Sequence, residues 1–360
     1  MLRKVRSLPE AFKPISTGKE KTLKAVRLAQ SSEGNRLELH EEAIPTPGRN
    51  EVLIRVHAAS LNFRDQIILS GHYPGGLKES GVPLSDGAGE VAAVGKGVTR
   101  AKVGDRVTVN CALHWIGGPM LLEYHENSVG MTIDGMLAEY VVVHENGLLK
   151  LPSYMSYADA AALPCAAVSA WSALHVASPL RPGQTVLIQG TGGVALAGLQ
   201  IACLFRARVI AITSTDEKAA MLKSMGADAV INYNERPDWD RDILDLTDGL
   251  GVDKVVEIGG ETTIVKSAAA TRIGGEVGLV GFVSGFGGGL PPLDIMKRSL
   301  RLAGISVGPR INFEALLDAM AADETKPVID SVYPFAEFRE AYVHLEASRH
   351  IGKIVIDMTA

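Results

Sequence analysis

Cysteine is scarce in this chain of 360 residues, with Cys111, Cys165 and Cys203 its three examples. They stand far apart and form no Cys-x-x-Cys, so neither a disulfide framework nor a clustered metal site is indicated. A reducing cytoplasmic setting is the expectation. Long apolar runs are missing as well: no stretch approaches the roughly 20 residues that cross a bilayer as a helix. Nor is there a surplus of one charge. Lys and Arg total 36 against 41 Asp and Glu, a net charge of −5, which gives no electrostatic case for nucleic acid or an acidic membrane. The first 21 residues are basic but lack the apolar core of a secretion signal. They read as an N-terminal extension outside the folded domains. No internal repeat and no low-complexity tract occurs.

What is present describes a well-packed protein: 46% apolar residues, 21% charged and 38 glycines. The length predicts two domains. From Leu23 to about Leu151 short β-branched runs such as KAVRLAQ, VLIRVHAAS and DRVTVN alternate with Gly, Pro, Asn and Asp. MLAEYVVVHENGLLKLP reads as a further such run. Residues 111–134 interrupt this pattern and read as a long surface loop or lid. Near Tyr157 the pattern changes to an Ala-rich helical stretch, with Pro164 marking a kink or a fresh start. Apolar strands then alternate with helices of about ten residues: TVLIQ, RVIAIT, AVIN, KVVEIG, EVGLVGF and RLAGISV are the strands. That alternation predicts a parallel sheet covered on both faces. Helices around 312–322 and 335–347 and the strand KIVID close the chain. The predicted fold is α/β, with a catalytic domain of residues 22–155 and 312–360 and an inserted dinucleotide-binding domain of residues 156–311.

QGTGGVALAG joins TVLIQ to a helix, and Gly190, Gly192 and Ala195 match G-x-G-x-x-G/A. The first glycine permits the tight turn, the second lets the backbone approach a pyrophosphate, and the small third residue lets helix and strand pack. Gly190, Thr191, Gly192, Gly193 and Val194 are therefore expected to hold the anion, helped by free N–H groups and the helix dipole. In such folds an acid about 20 residues further on holds a ribose hydroxyl. Here that place falls on Thr213 and Ser214, with Lys218 one turn along and Asp216 as the expected helix cap. An acid would repel a 2′-phosphate, whereas a hydroxyl and an ammonium hold it. Ser214 and Lys218 therefore predict NADPH over NADH.

PTPGRNEVLIRVHAASLNFRD, GVPLSDGAGEVAAVGKGVTRAKVGDRV, GTGGVALAGLQIA, KSMGADAVINY and HIGKIVI resemble the medium-chain dehydrogenase/reductase superfamily over residues 22–360. The resemblance implies a GroES-like, split β-barrel catalytic domain with an inserted Rossmann domain, and hydride transfer in the cleft between them. It also implies a homodimer formed through the last Rossmann strand, RLAGISV. In the zinc-dependent alcohol dehydrogenases of this superfamily the first metal-ligand position falls on Asn62, and the His-Glu pair falls on Ser85 and Asp86. Cys165 alone stands where a ligand would, and the four-cysteine structural zinc lobe is absent. One thiolate with an amide and a hydroxyl matches zinc poorly, so no zinc is expected, and Cys165 reads as a small buried residue.

Without a Lewis acid, a conjugated acceptor is easier to reduce than a simple carbonyl. The resemblance thus narrows to the zinc-independent quinone oxidoreductases and enoyl reductases. It implies Tyr73, in GHYP, as proton donor, and Asn62 as an amide donor beside the nicotinamide or the substrate carbonyl. It further implies cofactor contacts from Tyr233, Gly259, Phe282, Val283 and Lys353. Asp65 is expected to fix the local backbone. The leading reading is an NADPH-dependent reductase of a quinone or enone. An alcohol dehydrogenase is the alternative among enzymes. A low-turnover NADPH-binding sensor or structural protein stands outside them.

Overall fold

The structure, a computed structural model, describes residues 22–31 and 34–360. The expected extension of residues 1–21 lies outside them. Two bodies of sheet dominate. The first begins with an antiparallel pair, β1 (Thr22–Ala29) and β2 (Arg36–Ala43). A seven-stranded sheet follows: β3 (Glu51–Ser60), β4 (Asp86–Val94), β5 (Arg106–Val109), β6 (Tyr140–His144), β7 (Leu148–Lys150), and, returning from the far end of the chain, β14 (Ile329–Pro334) and β15 (Lys353–Asp357). Strand β3 is its hub, pairing antiparallel with β4, β6 and β15. Alternate residues of β3 point inward, and Val52, Ile54 and Val56 join Val91, Val107 and Ile356 in one apolar core.

The second sheet is wholly parallel. Its strands are β8 (Thr185–Gln189), β9 (Arg208–Thr213), β10 (Ala229–Asn232), β11 (Val252–Glu257), β12 (Thr271–Leu279) and β13 (Arg301–Gly304). Their order is β10-β9-β8-β11-β12-β13, the 3-2-1-4-5-6 arrangement of doubly wound dinucleotide folds, whose switch point falls between β8 and β11. Their side chains are apolar on both faces because helices cover both. On one side lie α4 (Ala166–Leu174), α5 (Gly193–Leu204) and α10 (Arg310–Ala322), with Phe313, Leu316 and Met320 of α10 packed into that core. On the other lie α7 (Trp239–Leu246) and α8 (Ile264–Ala270). Helices α6 (Asp216–Ser224) and α9 (Pro292–Arg298) complete this half. In the barrel half are α1 (Phe63–Leu69), α2 (Leu122–His125), α3 (Tyr157–Ala161) and α11 (Phe338–Glu346). Among the described residues no helix is long and apolar enough to cross a membrane.

One open alternative is settled and two expectations change at the level of single elements. Pro164 gives a fresh start rather than a kink: α3 ends at Ala161 and α4 begins at Ala166. The run YVVVHENGLLK is two strands, because the buried Glu145 carboxylate accepts the N–H groups of Thr99 and Arg100 at 2.7 and 2.8 Å and anchors a turn between them. Residues 111–134 are not all surface: Cys111, Ala112, Leu113, Trp115 and Val129 are buried.

Candidate active site

Strand β8 runs into the glycine turn, where Gly190 has φ +78°, a left-handed value that a side chain adopts only at a cost. Helix α5 then starts at Gly193, and its first N–H groups face open space. The turn is held from the barrel half: Gly352, just before β15, donates its N–H to Thr191 O at 2.9 Å. The aliphatic stem of Lys353 lies over Gly193, so closely that a Cβ there would stand 2.6 Å from the lysine Cδ. The two sheets thus meet at this turn, and a cavity of about 610 Å³ opens between them.

Most of the residues expected at the cofactor line that cavity: Gly190, Thr191, Gly192, Gly193, Val194, Ser214, Lys218, Tyr233, Gly259, Val283 and Lys353, with Asn62 at its barrel end. Ser214 and Lys218 face it from the end of β9 and the start of α6. The cap of α6 is Thr215 and not Asp216, since the Thr215 hydroxyl accepts the Lys218 N–H at 3.3 Å. Gly259 is set by Gln189, whose Oε1 accepts the N–H groups of Ile258 and Gly259 at 3.0 and 3.1 Å. Phe282 stands apart: its ring stacks on Phe286 at 4.6 Å and leaves the lining to Val283. Tyr73 is also absent from the lining and packs against the barrel core. Burial pushes its phenol up, while nearby Arg64 pulls it down. It therefore remains protonated at neutral pH.

At the barrel end Lys353, 4% exposed, donates Nζ–H bonds of 2.5 Å to both Leu61 O and Asn62 Oδ1. Its ammonium also stands 3.5 Å from Asp86 Oδ2. An ammonium attracts the amide oxygen, so Asn62 is oriented with Nδ2 away from it. That Nδ2 is enclosed and has no partner. A buried donor without an acceptor costs roughly 1–3 kcal/mol, which an acceptor able to reach it would relieve. Asp65 accepts the Asn62 N–H at 2.7 Å and fixes the start of α1. Burial lifts the Asp65 carboxyl to about 6, against the pull of Arg64 and of that N–H bond.

The sequence reading allows one metal-type donor here, and the structure gathers three. Asp86, Cys111 and Cys165 place a carboxylate oxygen and two sulfurs within 4.8 Å of one another. The set has the right atoms for zinc and the wrong charge around it. Asp86 Oδ1 accepts from Ser85 Oγ at 2.5 Å and from Cys111 Sγ at 3.8 Å, and Oδ2 accepts the Cys165 N–H at 3.2 Å beside the Lys353 ammonium. A dication would have to displace a buried lysine and sit beside the Arg64 guanidinium. With those two cations in place the donor set is a poor match for a metal ion.

Several lining residues carried no signal in the sequence: Trp239 and Lys266 from the helices beyond β10 and β11, and Ser348 and His350 from the loop before β15. His350 Nδ1 is enclosed and unpartnered. Burial lowers its affinity for a proton, and Lys353 and Lys218 lower it further against the pull of Asp330. No local pattern marks such positions, because the tertiary fold alone brings them to the turn.

Comparison with known proteins gives two family matches. Residues 193–322 match the model described as zinc-binding dehydrogenase, and residues 48–153 match the alcohol dehydrogenase GroES-like domain. The chain is 37% identical over 313 residues to a zinc-type alcohol dehydrogenase-like protein of Schizosaccharomyces pombe, covering 85% of this chain and 90% of that one. It is 28% identical over 351 residues to the quinone oxidoreductase of Homo sapiens, covering 95% and 99%. A solved mycobacterial protein complexed with NADPH superposes with a TM-score of 0.77 at 29% identity, over 93% of this chain and 99% of that one.

Proposed function

The chain belongs to the medium-chain dehydrogenase/reductase superfamily and is an oxidoreductase that uses a nicotinamide cofactor, and from that premise we propose that it reduces a quinone or an α,β-unsaturated carbonyl with NADPH and without a metal ion. One observation carries this reading: beside the cleft the Lys353 ammonium lies against Asn62 Oδ1 and Asp86 Oδ2, a cation next to the carboxylate that a metal would need, and Asn62 Nδ2 has no partner.

Bound NADPH supplies the hydride. The protein's part is to hold, orient and protonate. The backbone N–H groups of Gly190–Val194 take the pyrophosphate at the start of α5. Ser214 and Lys218 take the 2′-phosphate, with Tyr233 beside them, and Gly259 and Val283 bound the path toward the nicotinamide. Asn62 Nδ2 donates to the acceptor's carbonyl oxygen, where negative charge grows as the hydride arrives. A single preorganised donor of this kind is worth about 10²–10³ in turnover. Lys353 keeps the amide turned that way, and Asp86 balances the lysine. Tyr73 stays protonated but stands outside the lining, so it is assigned the return of a proton only through an intervening water. The outer edge of β13 is assigned the homodimer contact, which the mass in solution checks.

The test follows NADPH oxidation with a quinone, an enone and a simple aldehyde in parallel, with NADH alongside. Turnover of quinone or enone but not aldehyde, with NADPH preferred, is the expected result. The clustering of Asp86, Cys111 and Cys165 favours one second reading, a metal-dependent alcohol dehydrogenase. Aldehyde turnover with stoichiometric zinc would establish it instead.

A further inference from the structure

Cys111 and Cys165 take no part in the chemistry above, yet the fold brings them together from distant segments. Cys111 follows β5, and Cys165 is the cap residue just before α4. Their sulfurs lie within 4.8 Å of each other. Beside them stands Arg64 of α1. Its Nε is enclosed without a partner, and its one hydrogen bond is a long one of 3.3 Å to Val129 O. Among the described residues no carboxylate makes an ion pair with it. A buried guanidinium without a counter-ion is costly, and its charge is coupled to Cys165 and Cys111, then to Asp65 and Tyr73.

The two thiols are unequal. The adjacent Cys111 thiol holds Cys165 below the ordinary thiol range, and Arg64 and Lys353 act in the same sense against burial. The nearness of Cys165, with burial, pushes Cys111 well up. The start of a helix also favours a thiolate. Cys165 is half-buried, and the next residue in the chain, Ala166, lines the cofactor cavity. Cys111 is buried behind it.

We propose that Cys111 and Cys165 are an oxidisable dithiol, a modification site for hydrogen peroxide or a small organic hydroperoxide. Cys165 Sγ attacks the peroxide; the O–O bond breaks, an S–O bond forms, and hydroxide, or alkoxide from an organic peroxide, leaves. The Cys111 thiol then displaces oxygen from the sulfenic acid; an S–S bond forms, the S–O bond breaks, and the Cys111 proton leaves with hydroxide as water. The peroxide gains two electrons and the two thiols lose them. A disulfide needs its sulfurs about 2 Å apart, so closing it draws the start of α4 toward β5. That movement breaks the Cys165 N–H bond to Asp86 and disturbs the carboxylate that balances Lys353 and so orients Asn62. The oxidised enzyme is expected to lose activity and to regain it on reduction. This inference rests on the metal-free reading, whose failure shows separately as stoichiometric zinc, and not on which acceptor the enzyme reduces.

The full-length protein, exposed to a modest excess of hydrogen peroxide and alkylated, is digested without reductant and mapped by mass. The expected product joins the Cys111 and Cys165 peptides with loss of two hydrogens and is reversed by dithiothreitol, while Cys203, half-buried elsewhere, stays reduced. Cofactor-dependent turnover falls and recovers in step with the cross-link. In Cys111→Ser the sulfenic acid cannot be resolved, so Cys165 passes to sulfinic acid that thiols do not reverse. Arg64→Gln slows the first step about tenfold by removing the cation beside the thiolate. The proposal is overturned if no such cross-link forms, or if Cys165 reacts no faster than Cys203 in the wild-type protein.

Discussion

The two ends of the cleft are built in different ways. The nucleotide end is made by consecutive residues: β8, the glycine turn and α5 are one piece of chain, and Ser214 and Lys218 follow directly from the next strand. The barrel end is assembled from residues that are neighbours only in the fold. Lys353 reaches Asn62 across 291 positions of sequence, and Cys165 reaches Asp86 across 79. Backbone groups dominate the first end and buried charges the second. The first should tolerate loss of a side chain and fail when space is filled. The second should fail when one partner of the network is removed.

Filling space gives the largest expected effect. Gly192 has φ −77°, and a Cβ added there meets nothing within 4 Å. Gly192→Val therefore leaves the melting temperature nearly unchanged, while weakening NADPH binding about 100-fold by occupying the pyrophosphate's place. Calorimetric titration beside a thermal melt separates the two. Asn62→Ala, at the other end, lowers kcat about 100-fold through loss of the Nδ2 donor with little change in the cofactor's Kd. A variant that loses cofactor affinity and keeps kcat would reverse the roles given to the two ends.

A smaller effect is expected at Ser214. Ser214→Asp puts a carboxylate against the 2′-phosphate and lowers kcat/KM for NADPH about 30-fold, with NADH nearly unaffected. Equal losses with both cofactors would move the 2′-phosphate elsewhere. The smallest is one of stability. Asp65 titrates near 6 in the folded protein against 3.8 as a free side chain. The folded state thus binds the proton more tightly, and this group's contribution is lost as pH rises from about 4 through 6. At pH 7 the ionised carboxylate costs about 3 kcal/mol. Asp65→Asn keeps an acceptor for the Asn62 N–H and escapes that cost. Its stability relative to wild type should therefore improve as pH rises from 4 to 7 in urea titrations, and a flat difference would contradict the assignment.

The same contrast decides what could be read in the sequence. The parallel sheet and the turn were legible because hydrophobic alternation and glycine spacing are properties of neighbouring residues. Gly190, Gly192 and Ala195 declare themselves within six positions. The missing acid at Ser214 was legible for the same reason. The thiol pair was not, because α2, β6, β7 and α3 all intervene between Cys111 and Cys165, and spacing alone counts them as isolated. Pro164 announced a break in the helix but not its form. Glu145 shows another limit. A charged residue in an apolar run reads as solvent-facing, yet here it is buried because two backbone N–H groups await it. The resemblance brought Asn62 and Lys353 to notice; only the structure gave the hydrogen bond between them, and with it the direction of the amide.

The central claim is hydride transfer supported by an amide and a lysine in place of a metal. Its most direct test is turnover of NADPH with a quinone or enone by enzyme dialysed against a strong chelator, with zinc measured in the same sample. The account predicts full activity at a zinc content far below one per chain. Activity that falls with the zinc and returns when zinc is restored would contradict it.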